Sequence, residues 1–139
     1  MKVLLDTNVI LDYILSREPY VKNIVRLFDI ICKDEIKGVF TANSVTDIYY
    51  IIAKRLGDAA ARKALWNLLN ILVIIGVDGD DCVLVLDMSI ADFEDAVIVV
   101  CAPKNNIDYI VSNDKELLDV DSNIAQVISS DNILRLITQ

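Results

Sequence analysis

The sequence predicts an α/β fold in which a parallel sheet of about four to five strands is covered on both faces. Two observations carry this. Short apolar runs rich in β-branched residues alternate along the chain with longer segments whose apolar residues recur at helical spacing. Those runs are continuous rather than alternating, which marks strands buried on both sides. With four glycines and two prolines in 139 residues, no linker, repeat or low-complexity stretch appears, so residues 1–139 read as one domain.

Residues 3–5 form the first strand, and Asp6-Thr7-Asn8 is a turn-and-cap cluster at its end. A short helix over 9–15 stops before Pro19. Val21, Ile24, Val25, Leu27, Phe28 and Ile31 place a second helix over 20–36, ended by Gly38. Residues 39–41 are the second strand, and Asn43-Ser44 caps a helix over 45–56 that Gly57 stops. Asp58 caps the next helix, over 59–70. The β-branched run 72–77 is the third strand. Residues 80–87 read as helical, and 91–105 as a helix with an acidic first turn. Residues 109–112 form a fourth strand, 114–118 a helical turn, 126–128 a fifth strand and 132–137 a terminal helix. In such sheets, ligands sit beyond the carboxyl ends of the strands.

Composition narrows the chemistry. Asp6 interrupts the opening apolar residues, so no targeting signal is expected, and the longest uncharged apolar run, 71–77, is too short to span a bilayer. A soluble, cytoplasmic protein with no membrane partner is expected. Cys32, Cys82 and Cys101 are widely spaced and odd in number, and read as small buried hydrophobes in a reducing compartment. Histidine is absent. This excludes Ser-His-Asp and Cys-His catalysis, His-based zinc sites and paired-histidine RNA cleavage. The net charge of −8 disfavours a broad basic surface for nucleic acid, yet a bound divalent ion reverses the sign locally.

The carboxylates carry the argument. Asp6 directly follows the first strand and Asp114 follows the fourth, both at the carboxyl edge; helix capping would also explain each. Asp47 lies in Ser44-Val45-Thr46-Asp47, the pattern of a capping box. Asp92, Glu94 and Asp95 open the helix that continues into Ala96-Val97-Ile98. Asp92 and Asp95 share a face, with Asp95 against the apolar run and Asp92 placed to cap. Asp78, Asp80 and Asp81 read as a solvated turn. Acids brought together from distant segments repel unless a cation intervenes, and oxygen-only ligands select Mg²⁺ or Mn²⁺.

These motifs resemble those of PIN-domain ribonucleases, including the VapC-type toxins of bacterial toxin–antitoxin systems. Leu4-Leu5-Asp6-Thr7-Asn8-Val9-Ile10-Leu11-Asp12 resembles the family's opening motif, and Ser44-Val45-Thr46-Asp47-Ile48-Tyr49-Tyr50 the second. Asp92-Phe93-Glu94-Asp95-Ala96-Val97 is similar to the third and Ile110-Val111-Ser112-Asn113-Asp114 to the fourth, in family order over nearly the whole chain. The resemblance implies a three-layer α/β/α fold and Mg²⁺- or Mn²⁺-dependent hydrolysis of RNA. It implies Asp6, Asp47, Asp95 and Asp114 as catalytic metal ligands, with Asn8, Ser112 and Asp92 in support. It also implies a homodimer and a small antitoxin partner over the acidic groove.

The chain departs from the family pattern at two places. Asp47 stands where Glu is common, and Asn113 where Arg is common, which removes a phosphate contact. A non-catalytic module that binds RNA or protein on the same fold is one alternative. A receiver-like aspartyl-phosphate protein is another, since an aspartate after the first strand suits both. Tyr49 and Tyr50 read as packing residues that could otherwise stack on bases. Arg17, Lys54, Arg55, Arg62 and Lys63 read as a solvated face that could otherwise contact phosphate.

Overall fold

The computed structural model describes residues 1–121 and 123–139. Five parallel strands, β1 (Lys2–Leu5), β2 (Lys37–Thr41), β3 (Val73–Ile75), β4 (Tyr109–Val111) and β5 (Val127–Ile128), lie in the order β3-β2-β1-β4-β5. The helices are α1 (Thr7–Ile14), α2 (Val21–Cys32), α3 (Ala42–Leu56), α4 (Asp58–Leu69), α5 (Gly79–Leu86), α6 (Phe93–Lys104), α7 (Lys115–Leu118) and α8 (Ser130–Ile137). The α/β class and the sheet covered on both faces are as the sequence predicts.

Strand alternation sorts the core into two halves. Val3, Leu5, Phe40 and Val111 point into the layer of α1–α4 and α8, where Tyr13 stacks on Phe28 at 3.8 Å between ring centroids. Leu4, Val39 and Ile110 point into the other layer, where α5, α6 and α7 pack. Helix α6 is buried all round from Asp95 to Ala102, which is why its sequence shows no polar face. On the first layer α2 approaches the sheet so closely that a Cβ at Gly38 would lie 2.6 Å from Leu72 and 2.9 Å from Ile31. Gly57, at φ 91°, is the single-residue joint between α3 and α4.

Several boundaries differ from expectation. Helix α2 ends at Cys32 rather than 36, because the polar turn Lys33-Asp34-Glu35 takes Asp34 to φ 59°. Helix α3 starts at Ala42, straight out of β2, three residues before the expected start. The cysteines are also corrected: Cys101 is buried, but Cys32 and Cys82 are exposed. No helix among the described residues is long and apolar enough to cross a membrane.

The strand order fixes where a site can be. From β1 the chain winds outward through β2 to β3, then crosses over to β4 on the other side of β1. The carboxyl ends of β1 and β4 therefore flank the switch point, where an open crevice forms.

Candidate active site

Two acids sit at that crevice because two strands end there. The Asp6 N–H donates to the Val111 carbonyl at 3.0 Å, extending the β1–β4 ladder by one residue. Asp6 occupies the N-cap position of α1, but its carboxylate does not cap the helix. It accepts instead from the Ser112 hydroxyl, at 2.9 Å, and is only 4% exposed. The Asp114 N–H in turn donates to Ser112 Oγ at 3.0 Å, so one buried hydroxyl fixes both motifs. Asp114 is half-buried and does cap: its carboxylate accepts from the Glu116 N–H at 3.0 Å, at the start of α7.

Helix α6 brings the third acid. Asp92 is its N-cap and accepts from the Asp95 N–H at 3.0 Å, which sets the first turn and leaves the Asp95 carboxyl facing Asp6 and Asp114. Asp95 is buried, at 8% exposure.

The capping-box reading of Asp47 is corrected. With α3 starting at Ala42, Ser44 lies inside the helix, and its buried hydroxyl bonds to Thr7 Oγ1 (2.7 Å) and Thr41 Oγ1 (2.9 Å). Asp47 is freed to reach across the cleft, where its carboxyl hydrogen-bonds to that of Glu94. Thr7 also donates to Glu94 Oε1, at 3.3 Å. Glu94 is the residue sequence reasoning missed. It was visible beside Asp92 and Asp95, but helical spacing alone assigned the shared face to those two.

The electrostatics follow from burial without a counter-charge. Asp6, Asp47, Asp92, Glu94, Asp95 and Asp114 line one open cleft of about 300 Å³ with no basic residue in its described lining. Burial, reinforced by Asp92, Asp6 and Asp114, pushes Asp95 up to about 7. The Asp47 hydrogen bond, with burial added, pushes Glu94 up to about 8. Asp6 is likewise raised by burial, against the pull of the Ser112 hydrogen bond.

Among the described residues no group of three acids or cysteines is already set around a point as if holding a metal ion. The donor chemistry nonetheless fits a hard divalent cation: every candidate ligand is a carboxylate oxygen, and their mutual repulsion is what a cation would relieve.

The remaining expected residues fall differently. Asn8 is exposed at the cleft; no hydrogen bond joins its side chain to the described acids, while its carbonyl accepts from Arg17 Nη2 at 3.4 Å. Asn113 turns away, its Oδ1 accepting from the Ser130 N–H (3.1 Å) and hydroxyl (3.0 Å), which ties the end of β4 to α8. Tyr50 is not a packing residue: it is 69% exposed at the mouth of the cleft, whereas Tyr49 packs on the core edge and donates to Asp58. Lys54, Arg55 and Lys63 are exposed, and Arg62 pairs with Asp58 at 2.9 Å.

The Asp78–Asp81 cluster is no solvated turn. The two aspartates form a reciprocal capping box at the start of α5, and buried Asp81 pairs with Lys104. The strand order also separates this fold from receiver domains, whose order is 2-1-3-4-5.

Comparison with known proteins agrees with the fold. The structure is similar to VapBC from Salmonella typhimurium bound to DNA, with a TM-score of 0.70 at 15% identity over 94% of this chain and 98% of that one. It is similar to VapBC2 from Rickettsia felis bound to a promoter DNA fragment, with a TM-score of 0.69 at 16% identity over 93% and 98%. It also resembles the toxin VapC20 of Mycobacterium tuberculosis, described as cleaving the sarcin–ricin loop, with a TM-score of 0.66 at 15% identity over 83% and 92%. No curated protein matches the sequence. The family model described as PIN domain matches residues 2–116, spanning β1, all four acidic motifs and the start of α7. The chain belongs to the PIN-domain family.

Proposed function

We propose that this chain is a Mg²⁺- or Mn²⁺-dependent ribonuclease that hydrolyses RNA phosphodiester bonds, and that it acts as the toxin of a toxin–antitoxin pair. The observation that carries the reading is the convergence of Asp6, Asp95 and Asp114 at the β1/β4 switch point with no basic residue in the described lining. Asp6, Asp95 and Asp114 would hold the ion, with Asp47 completing the set. A bound ion would polarise a phosphoryl oxygen and lower the pKa of a water. Ser112 keeps the Asp6 carboxylate aimed into the cleft, and Asp92 fixes the turn that carries Asp95. Glu94 and Thr7, joined by a hydrogen bond, line the same cleft.

Purified protein should cut single-stranded RNA in Mn²⁺, and Asp6→Asn should abolish cutting while the circular-dichroism spectrum and melting curve stay native. Cleavage that persists in EDTA, or at an undiminished rate in the variant, contradicts the reading. A homodimer, and an antitoxin seated over the acidic groove, belong to the same proposal; the VapBC complexes among the similar structures support an antitoxin partner. Light scattering checks the first, and co-purification with the product of an adjacent reading frame checks the second.

A non-catalytic module on the same fold is the competing reading. Saturable Mn²⁺ binding separates the two readings, because the module requires none.

A further inference from the structure

A cleft lined by six acids repels the RNA backbone it is proposed to cut, so a cation from the protein is needed beside it. Arg17 is placed to supply it. A second cleft of about 360 Å³ adjoins the acidic one and shares Asn8 and Asp114 with it. Arg17, on the α1–α2 loop, is the one basic residue in its described lining. A third cleft, on the other side of Asp92 and Asp95, has no basic residue in its described lining.

Arg17 is held in place from below. Its Nε lies 2.7 Å from Asp12 Oδ1, and its Nη2 donates to the Asn8 carbonyl at 3.4 Å. Asp12 and Asn8 both lie on α1, the helix that Asp6 starts, so one short helix positions a site acid and the arginine's anchors. A guanidinium carries five N–H donors, and these contacts leave others for a ligand. The side chain is 35% exposed, enough to meet one. Tyr20, 40% exposed, lines the same cleft. A cation beside an open aromatic ring suits single-stranded nucleic acid, with phosphate on one and a base on the other.

We propose that Arg17 is the substrate-binding residue that grips a backbone phosphate of single-stranded RNA beside Asp114. This rests on the ribonuclease reading of the acidic cleft. The bland role for Arg17 is to neutralise Asp12, whose carboxyl is raised by burial and pulled back by the guanidinium. The two roles predict different measurements.

Binding is read by fluorescence anisotropy of a labelled RNA oligonucleotide in Ca²⁺, and cleavage separately in Mn²⁺. Arg17→Met should weaken RNA binding about tenfold or more, as expected for loss of a charge-assisted contact. The slope of log K against log salt should fall by about 0.7, one single-strand phosphate contact. KM should rise in step, with kcat and Mn²⁺ affinity unchanged, and Arg17→Lys should recover part of the loss. If Arg17→Met does not fold, Asp12→Asn/Arg17→Met removes the buried acid with its counter-charge and carries the same expectation. Unchanged RNA affinity and salt slope in a folded variant overturn the proposal, as does a wild type that binds no RNA. A wild type that binds RNA through Arg17 but never cuts it contradicts the ribonuclease reading and leaves Arg17 as an RNA contact.

Discussion

Helix α6 has an acidic cluster at each end, and the two have been solved differently. At its carboxyl end Lys104 reaches buried Asp81, while Asp78 and Asp81 cap α5 reciprocally. Burial alone would raise Asp81, yet Lys104 and the Asp78 backbone bring it below the usual carboxylate range. At the amino end Asp95 lies among Asp92, Asp6 and Asp114 with no lysine or arginine in the described lining, and is driven up to about 7. An acidic cluster with its own cation is part of the scaffold. One without is where the proposed ion would bind.

The largest expected effect is at the uncompensated end. Asp6→Asn should bring Mn²⁺-dependent RNA cleavage to background in a gel assay, since it removes the most buried acid of the cleft. Ser112→Ala comes next: it removes the hydroxyl that donates to Asp6 and should weaken metal affinity about 10–100-fold by calorimetry. Binding that survives either change at full strength would make the two clusters equivalent.

The pH response sharpens the same contrast. Asp95 and Glu94 titrate near 7 and 8 in the folded chain, above their ordinary values when unfolded. Between about pH 4 and 8 the folded state therefore binds more protons, so stability falls as pH rises through that window. The metal-free protein should lose Tm steadily as pH rises across it, and Asp95→Asn or added Mn²⁺ should flatten the curve.

The smallest effect belongs to the compensated end. Lys104→Met should lower the urea midpoint, by less than loss of a fully buried pair would, because Lys104 is 39% exposed and water screens it. It should leave Mn²⁺ affinity and RNA cleavage unchanged. A loss of metal binding in this variant would erase the distinction between the two ends.

Much of the fold was legible in the sequence because strands buried on both faces leave continuous runs such as Val3-Leu4-Leu5 and Tyr109-Ile110-Val111. Asp6 and Asp114 were legible as cleft residues because each follows such a run immediately. The start of α3 was not: Asn43-Ser44 has the composition of a cap, but β2 passes into helix with no intervening turn, and the Ser44 hydroxyl serves Thr7 and Thr41 instead. That misplaced start disguised Asp47. Glu94 was hidden because its partner lies on another helix, and no local spacing encodes a contact between α3 and α6. Asp81 looked solvated for the same reason, its lysine lying 23 residues further on.

Calorimetric titration of the metal-free protein with Mn²⁺ at pH 7 tests the central claim most directly. Saturable binding in the wild type and in Lys104→Met, lost in Asp6→Asn and Asp95→Asn, is the predicted result. No saturable binding in the wild type, or undiminished binding in Asp6→Asn and Asp95→Asn, would contradict it.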